Sequence, residues 1–169
     1  MSVLLIGEIN AKALADLLAR FGLQVQFVKK GEPIAGSYWG EPEAGLIANN
    51  LYVRADTPVH SALHEACHWI CMDDKRKKTV HTDAKGSVME ECAVNYLQIL
   101  LADELVEMGR ERMLEDMTAW GYSYREGDVR AWLSGDAADA RQWLLNAEII
   151  DVDDKVNNLK CTLDNPMAY

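Results

Sequence analysis

The spacing of apolar and polar residues divides the chain into an early part with strand patterns and a later part with helix patterns. Residues 9–21 repeat apolar positions at helical spacing before Gly22, and residues 23–28 alternate as a half-buried strand does. Residues 31–45 are rich in Gly and Pro and predict a loop with a short strand. Residues 46–54, which contain an Asn-Asn pair, predict a strand or a tight hairpin.

Helical periodicity dominates the rest of the chain. Thr57 and Pro58 predict an N-cap followed by proline at the first helical position, and this helix extends over residues 58–72. The next predicted elements are a polar loop up to Gly86 and helices over residues 87–108, 111–120, 127–133 and 136–147. Early strands followed by helices predict an α+β fold, with a small antiparallel sheet near the N-terminus packed on a mainly helical domain.

Length and composition limit the organisation and the partners. The 169 residues predict one domain over residues 1–150, with residues 151–169 as a loosely attached acidic tail. A net charge of −10 disfavours nucleic acid as a partner, and the basic run at residues 75–78 is interpreted as a solvated loop. No apolar run approaches the ~20 residues of a membrane span, and no leader pattern is present. Together with cysteines that form no C-x-x-C, this predicts a cytoplasmic protein without a membrane partner.

The segment at residues 64–68 carries candidate chemistry, because it reads H-E-x-x-H inside a predicted helix. Residues four apart share a helix face, so His64 and His68 are predicted to bind one divalent metal ion. Glu65 projects beside that face, where it can act as a catalytic carboxylate. The metal would lower the pKa of a bound water, and Glu65 would take its proton.

A third ligand is expected from the helix over residues 87–108. Glu90 is favoured, because helix phase places it on the core side, where a carboxylate needs a partner. Glu91 is the alternative, with Asn95 one turn later as its supporting partner. A capping box with Ser87 is a competing structural role for Glu90.

Other residues are weaker candidates for the site. His60 and His81 are possible supporting or substrate-binding groups, and the hydroxyl of Tyr122 is a possible oxyanion contact, although a packed helix connection is preferred for Tyr122. Cys67 and Cys71 point away from the ligand histidines and are predicted to be core residues.

The downstream helix resembles that of compact gluzincin metallopeptidases of the ImmA/IrrE type, whose form is E-x-x-A-[DN]-x-F-A-x-x-L-L. Residues 90–97 read EECAVNYL, and two leucines follow at residues 100 and 101. The resemblance covers about residues 44–101 and implies a minimal gluzincin-like fold. It implies that His64, His68 and Glu90 bind Zn²⁺ and that Glu65 is the general base for hydrolysis of a protein or peptide. Val94 stands where that family has an Asp or Asn that braces a ligand histidine.

A second, local resemblance links the same helix to the elongation factor P hydroxylase family. Residues 61–69 read SALHEACHW against S-A-L-H-E-x-x-H-W, and residues 28–34 read VKKGEPI against a basic-Gly-Glu-Pro-Ile stretch. This resemblance implies Fe²⁺ and hydroxylation of a protein side chain. Two histidines and a carboxylate suit either ion, so zinc hydrolase is the first hypothesis and iron hydroxylase the second. The third is a non-catalytic, metal-stabilised binding module. The oligomeric state is left open.

Overall fold

The computed structural model describes residues 2–125 and 127–158 and has a small sheet at one side of a helical body. This architecture confirms the predicted α+β class. The strands are β1 (Gln24–Val28), β2 (Gly45–Ile47) and β3 (Asn50–Arg54). The helices are α1 (Ala11–Ala19), α2 (Val59–Cys71), α3 (Asp74–Thr79), α4 (Val88–Ala102), α5 (Gly109–Trp120), α6 (Val129–Gly135) and α7 (Ala138–Asn146).

The sheet is mixed, so the prediction of an antiparallel sheet is wrong for one of its two strand pairs. The strand order is β1-β3-β2; β3 runs parallel to β1 and antiparallel to β2. The chain leaves β1 through a long loop, forms the β2–β3 hairpin and inserts β3 in the middle. Alternation along a strand identifies its faces but carries no information about its neighbour, which is why the sequence did not predict the parallel pair.

The outer edge of β2 is covered by the protein's own chain. The Thr82 amide donates to the Leu46 carbonyl at 2.8 Å, and the Ala48 amide donates to the Val80 carbonyl at 2.8 Å. On the preceding loop, Ser37 makes a further bridge to Gly45. These contacts leave little of the β2 backbone open for an added strand.

Helix α2 lies between the sheet and α4, and almost all of its residues are buried. Its apolar side includes Leu63, Ala66 and Cys67, which are each 0% exposed, and Cys71 is also buried, as predicted for core cysteines. Trp69 fixes the end of the helix, because its indole Nε1 donates to the Phe21 carbonyl at 3.2 Å. The end of α2 is therefore tied to the segment that follows α1.

Several element boundaries differ from the predictions for identifiable reasons. The hydroxyl of Thr57 accepts from the Arg54 amide at 2.9 Å, so Thr57 ties β3 to the helix and Pro58 is the N-cap. Helix α4 ends at Ala102, and turns follow up to Met108, where a continuous helix was predicted. Helix α3 lies inside the predicted loop and is capped by Asp73, whose carboxylate accepts from the Arg76 amide.

The first part of the predicted tail is attached to the helical body. Asp154 accepts hydrogen bonds from the Tyr96 hydroxyl of α4 at 2.9 Å and from Arg141 of α7 at 2.6 Å. Residues 151–158 are thus more closely attached than predicted, and residues 159–169 lie outside the described residues. Within the described part of the chain, no helix is long and apolar enough to cross a bilayer.

Candidate metal centre

The structure brings His64, His68 and Glu91 together between α2 and α4. The Glu91 Oε1 atom lies 3.2 Å from His64 Nε2 and 3.4 Å from His68 Nε2. The histidines are one helical turn apart, and their ring centroids are separated by 4.7 Å. Three donor atoms, one from each residue, all lie within 4.8 Å of one another.

These separations fit a small divalent cation. Metal–ligand bonds of about 2.0–2.1 Å in a tetrahedral arrangement place neighbouring donor atoms about 3.3 Å apart. The two separations from the Glu91 oxygen match this value, and neutral imidazole with one carboxylate is a donor set that both Zn²⁺ and Fe²⁺ accept. The residues present therefore suit either ion implied by the sequence.

Glu90, the favoured third ligand, does not join the histidines. It is buried as predicted, at 7% exposed, but its Oε2 accepts from Arg76 of α3 at 2.8 Å. Its carboxylate also lies against Gly86, where a Cβ atom would collide with it. The buried Glu90 carboxylate thus has an arginine as its partner, and Glu91, the alternative candidate, is the glutamate that faces the histidines.

Electrostatics within the cluster favour an ionised Glu91. Burial alone would raise the pKa of Glu91, but hydrogen bonds from His64 and His68 hold it well below its ordinary value. Burial also opposes the charged form of His64, yet its pKa is raised because Glu91 and Glu65 favour the imidazolium. The hydrogen bonds with the two rings thus favour the ionised form of Glu91.

Glu65 lies beside this cluster and is buried. Its side chain is 8% exposed, and burial raises the pKa of its carboxyl group, although the two nearby histidines partly offset the effect. A raised pKa brings a carboxylate closer to the range in which it accepts and returns protons near neutral pH. Glu65 is thus a buried carboxylate with a raised pKa next to the two histidines.

A cavity of about 420 Å³ opens beside the cluster and is lined by both His64 and Glu65. Aromatic side chains from two separate segments, Trp39 and Trp120, form part of its wall. The Trp120 indole donates to the Glu43 carboxylate at 2.9 Å, which ties α5 to the loop before β2. This cavity is large enough for an amino-acid side chain or another compact group.

The remaining predicted candidates are distributed around the cluster. Tyr122 and Asn95 line the cavity, as does Ser61, whose hydroxyl accepts from the Ala44 amide. His60 is 1% exposed and lies behind the cluster, with its Nδ1 at 3.3 Å from the Tyr122 hydroxyl. His81 is exposed, pairs with Ile47 at the sheet edge and does not join the cluster.

Gln98 belongs to the site but was given no role from the sequence. It is fully buried, and its Oε1 lies 2.9 Å from His64 Nδ1. Gln98 follows Glu91 and Asn95 at helical spacing on one polar side of α4, and that spacing is the signal that could have found it. A glutamine two turns from a candidate ligand is easily read as a solvated residue, and only the contact with α2 distinguishes it.

His68 has no comparable support within the described residues. Its Nδ1 atom is buried and has no hydrogen-bond partner there. Val94 is fully buried on α4 between Glu91 and Gln98, at the position where the ImmA/IrrE-type form has Asp or Asn. The two ligand histidines therefore differ in how firmly their rings are held.

Comparison with known proteins finds no family model, curated protein or solved structure that matches the chain. Any function must therefore be argued from the cluster and its surroundings.

Proposed function

We propose that the protein is a metal-dependent hydrolase, with Zn²⁺ held by His64, His68 and Glu91. The observation that carries this proposal is the buried Glu65 carboxylate, which lines a cavity next to the three potential ligands and has a raised pKa. A metal site without chemistry has no need for a buried acid in that position, because burial of a carboxylate is costly.

The bound cation, Glu65 and the cavity wall would have separate roles in hydrolysis. A bound cation would supply Lewis acidity and lower the pKa of a water molecule in its open position. Glu65 would accept a proton from the attacking water and return it to the leaving atom. Trp39 and Trp120 are both exposed at the wall of the cavity, where their indoles offer apolar contact area to a substrate.

The substrate is proposed to be a protein or peptide, one group of which enters the cavity. Extended peptides commonly bind by adding a strand to an open sheet edge. Segment 80–82 already occupies the edge of β2, and residues 82–85 line a smaller cavity of about 60 Å³ against the cluster. A compact group entering between the aromatic side chains fits these features better than a long strand lying along the sheet.

Iron-dependent hydroxylation is the second candidate, and the position of Glu91 favours it. The match to the metallopeptidase form E-x-x-A depends on Glu90 as the ligand, and that match is off by one residue when Glu91 takes this role. The motif S-A-L-H-E-x-x-H-W matches residues 61–69, which all lie within α2. This match does not depend on which glutamate of α4 is the third ligand. Two histidines and a carboxylate with open positions also suit non-haem Fe²⁺.

Metal analysis of protein purified under anaerobic, iron-replete conditions separates the two candidates. Zinc at one equivalent, with hydrolysis of a quenched-fluorescence peptide library that is lost on chelation, is expected for the hydrolase. Iron at one equivalent, with oxygen consumption when a candidate protein substrate is added, would favour the hydroxylase. Binding of either ion with neither activity would favour the non-catalytic module.

The Glu65→Gln variant then tests the assigned role of the base. We expect hydrolysis to fall by about 10²–10⁴-fold, because the amide cannot accept a proton, whereas the bound metal stays at the wild-type level. Glu111→Gln, at a residue of α5 outside the cluster, is the matched control and should keep full activity. Hydrolysis at the wild-type rate in Glu65→Gln would contradict this mechanism.

A further inference from the structure

Gln98 connects the candidate metal centre to the backbone of α2. Its Oε1 lies 2.9 Å from His64 Nδ1, and its Nε2 donates to the His60 carbonyl at 3.0 Å. The same Nε2 is 3.5 Å from the Tyr122 hydroxyl, which lies 3.3 Å from His60 Nδ1. Gln98 is 0% exposed, so water cannot replace either of its two shorter hydrogen bonds.

The His60 carbonyl determines which way the amide of Gln98 points. A backbone carbonyl can only accept hydrogen bonds, so the NH₂ group of the amide must face it. The Oε1 atom of Gln98 must then face His64 Nδ1. Because a carbonyl oxygen cannot donate, that ring nitrogen must carry a proton for the contact to be a hydrogen bond.

We propose that Gln98 is a positioning residue that keeps the proton of His64 on Nδ1 and leaves Nε2 as the ligand atom. This inference rests on the proposed metal site. A metal-bound imidazole carries its remaining proton on the other nitrogen, and an acceptor there fixes both the tautomer and the ring orientation. In many metal sites a carboxylate or a backbone carbonyl accepts this hydrogen bond, and here the amide oxygen of Gln98 does so. The orientation of the amide is in turn fixed by the His60 carbonyl of α2.

The assignment separates the two ligand histidines. His64 has an acceptor on its second nitrogen, whereas His68 Nδ1 has none among the described residues. His64 Nε2 is also the ligand atom nearer to the Glu91 oxygen, at 3.2 Å against 3.4 Å for His68. The ring that lines the substrate cavity is thus the ring that Gln98 holds.

Gln98→Met and Gln98→Glu test the two halves of the assignment with Zn²⁺ as the probe. Methionine keeps the length of the side chain but removes the acceptor, and we expect zinc affinity to fall by about 10–100-fold. Glutamate keeps an acceptor for His64 Nδ1–H, so its affinity should stay within about tenfold of wild type, although it loses the bond to the His60 carbonyl. Equal losses in both variants would overturn the proposal.

A spectroscopic readout distinguishes positioning from a general effect on stability. In the zinc-loaded wild type, ¹⁵N-edited NMR should show a slowly exchanging Nδ1–H of His64 with Nε2 bound to the metal. This proton should exchange rapidly in Gln98→Met and remain protected in Met113→Leu. That control removes only the weak 3.5 Å hydrogen bond from Gln98 Nε2 to the Met113 Sδ atom and leaves the bonds of Gln98 with His64 and with the His60 carbonyl. An unprotected Nδ1–H in the wild type, or zinc bound through His64 Nδ1, would overturn the assignment.

The outcomes for Gln98 and for the proposed function are distinguishable. Zinc affinity that depends on Gln98 in a protein without hydrolase activity would support the assignment and count against the hydrolase. Hydrolase activity in the wild type, together with unchanged zinc affinity in Gln98→Met, would support the hydrolase and count against the assignment. A wild-type protein that binds no divalent metal would overturn both.

Discussion

Glu90 and Glu91 are neighbours in the first turn of α4, yet their carboxylates lie in two different environments. Glu90 turns towards α3, where it is 7% exposed and bound to the guanidinium of Arg76. Glu91 turns towards α2, where its side chain is 38% exposed and faces His64 and His68. The less buried of the two is the one that meets the potential ligands.

This difference shows that burial alone does not identify a metal ligand. A buried carboxylate requires a compensating partner, and an arginine satisfies that requirement as well as a cation does. A ligand next to a substrate cavity must instead stay partly accessible, because the metal needs an open position for water or substrate. The two glutamates therefore offer a direct comparison between a carboxylate that pairs with an arginine and one that faces two histidines.

The largest expected difference is in zinc affinity, between a variant that removes the charge of Glu91 and one that removes the charge of Glu90. We expect Glu91→Gln to weaken zinc binding by more than about 100-fold, beyond the loss typical of residues that only support a ligand. Glu90→Gln is the matched control from the same helical turn and should bind zinc within about threefold of wild type. Competition with a chromophoric chelator measures both affinities, and the opposite ranking would restore Glu90 as the ligand.

Loss of Arg76 should affect stability rather than metal binding. Arg76→Met leaves Glu90 buried without its partner and removes the hydrogen bonds to the carbonyls of Ala84 and Lys85. We expect the free energy of unfolding in urea to fall by about 1–3 kcal/mol. Lys78→Met, the same kind of change at an exposed position of α3, should lower it by less than about 0.5 kcal/mol. A large loss of zinc affinity in Arg76→Met would mean that the two environments are coupled.

The same comparison explains how far the sequence predicted the site. The H-E-x-x-H spacing on a capped, amphipathic helix was enough to predict that His64 and His68 share a face, because that follows from helix geometry alone. Helix phase also predicted correctly that Glu90 is buried. The pairing of Glu90 with Arg76 could not be predicted in this way, because it depends on a partner from another element.

That partner was hidden by an error in the secondary structure. The run Lys75–Lys78 was interpreted as a solvated loop, whereas it forms α3 behind the Asp73 cap and presents Arg76 to Glu90. A six-residue helix without a buried apolar residue has no hydrophobic periodicity to detect. The parallel pairing of β1 with β3 was missed for a similar reason, since contacts between distant segments leave no local pattern.

His60 and His64 of α2 are expected to change the stability of the protein with pH in opposite directions. Burial lowers the pKa of His60 to about 3, whereas the pKa of His64, one turn later, is raised. Below pH 6.5 the unfolded chain gains a proton at His60 that the folded chain does not, so this residue makes the protein less stable as the pH falls. His64 has the opposite effect: its contribution is present at low pH and is lost as the pH rises through its raised pKa.

A His60→Phe variant isolates the first of these effects in metal-free protein. Between pH 6.5 and 5, the stability of the wild type relative to His60→Phe should fall by up to about 1.4 kcal/mol per pH unit. Urea unfolding at several pH values measures the difference between the two curves. Parallel curves for wild type and variant would mean that His60 is accessible to protons in the folded state.

The smallest expected effect concerns the unsupported ring of His68. Val94 lies three residues after Glu91 on α4 and is fully buried, and asparagine is a side chain of similar size. If its amide oxygen accepts from His68 Nδ1, Val94→Asn should tighten zinc binding by a few-fold, because the ring is then held as His64 is held by Gln98. Val94→Ala is the control, because it opens space without adding an acceptor and should not tighten binding. A loss of about 1–3 kcal/mol in stability with no gain in zinc affinity would show that the new amide is buried without a partner. In that case the weaker support of His68 would be a fixed property of the α2–α4 interface, and Gln98 would carry the orientation of the centre by itself.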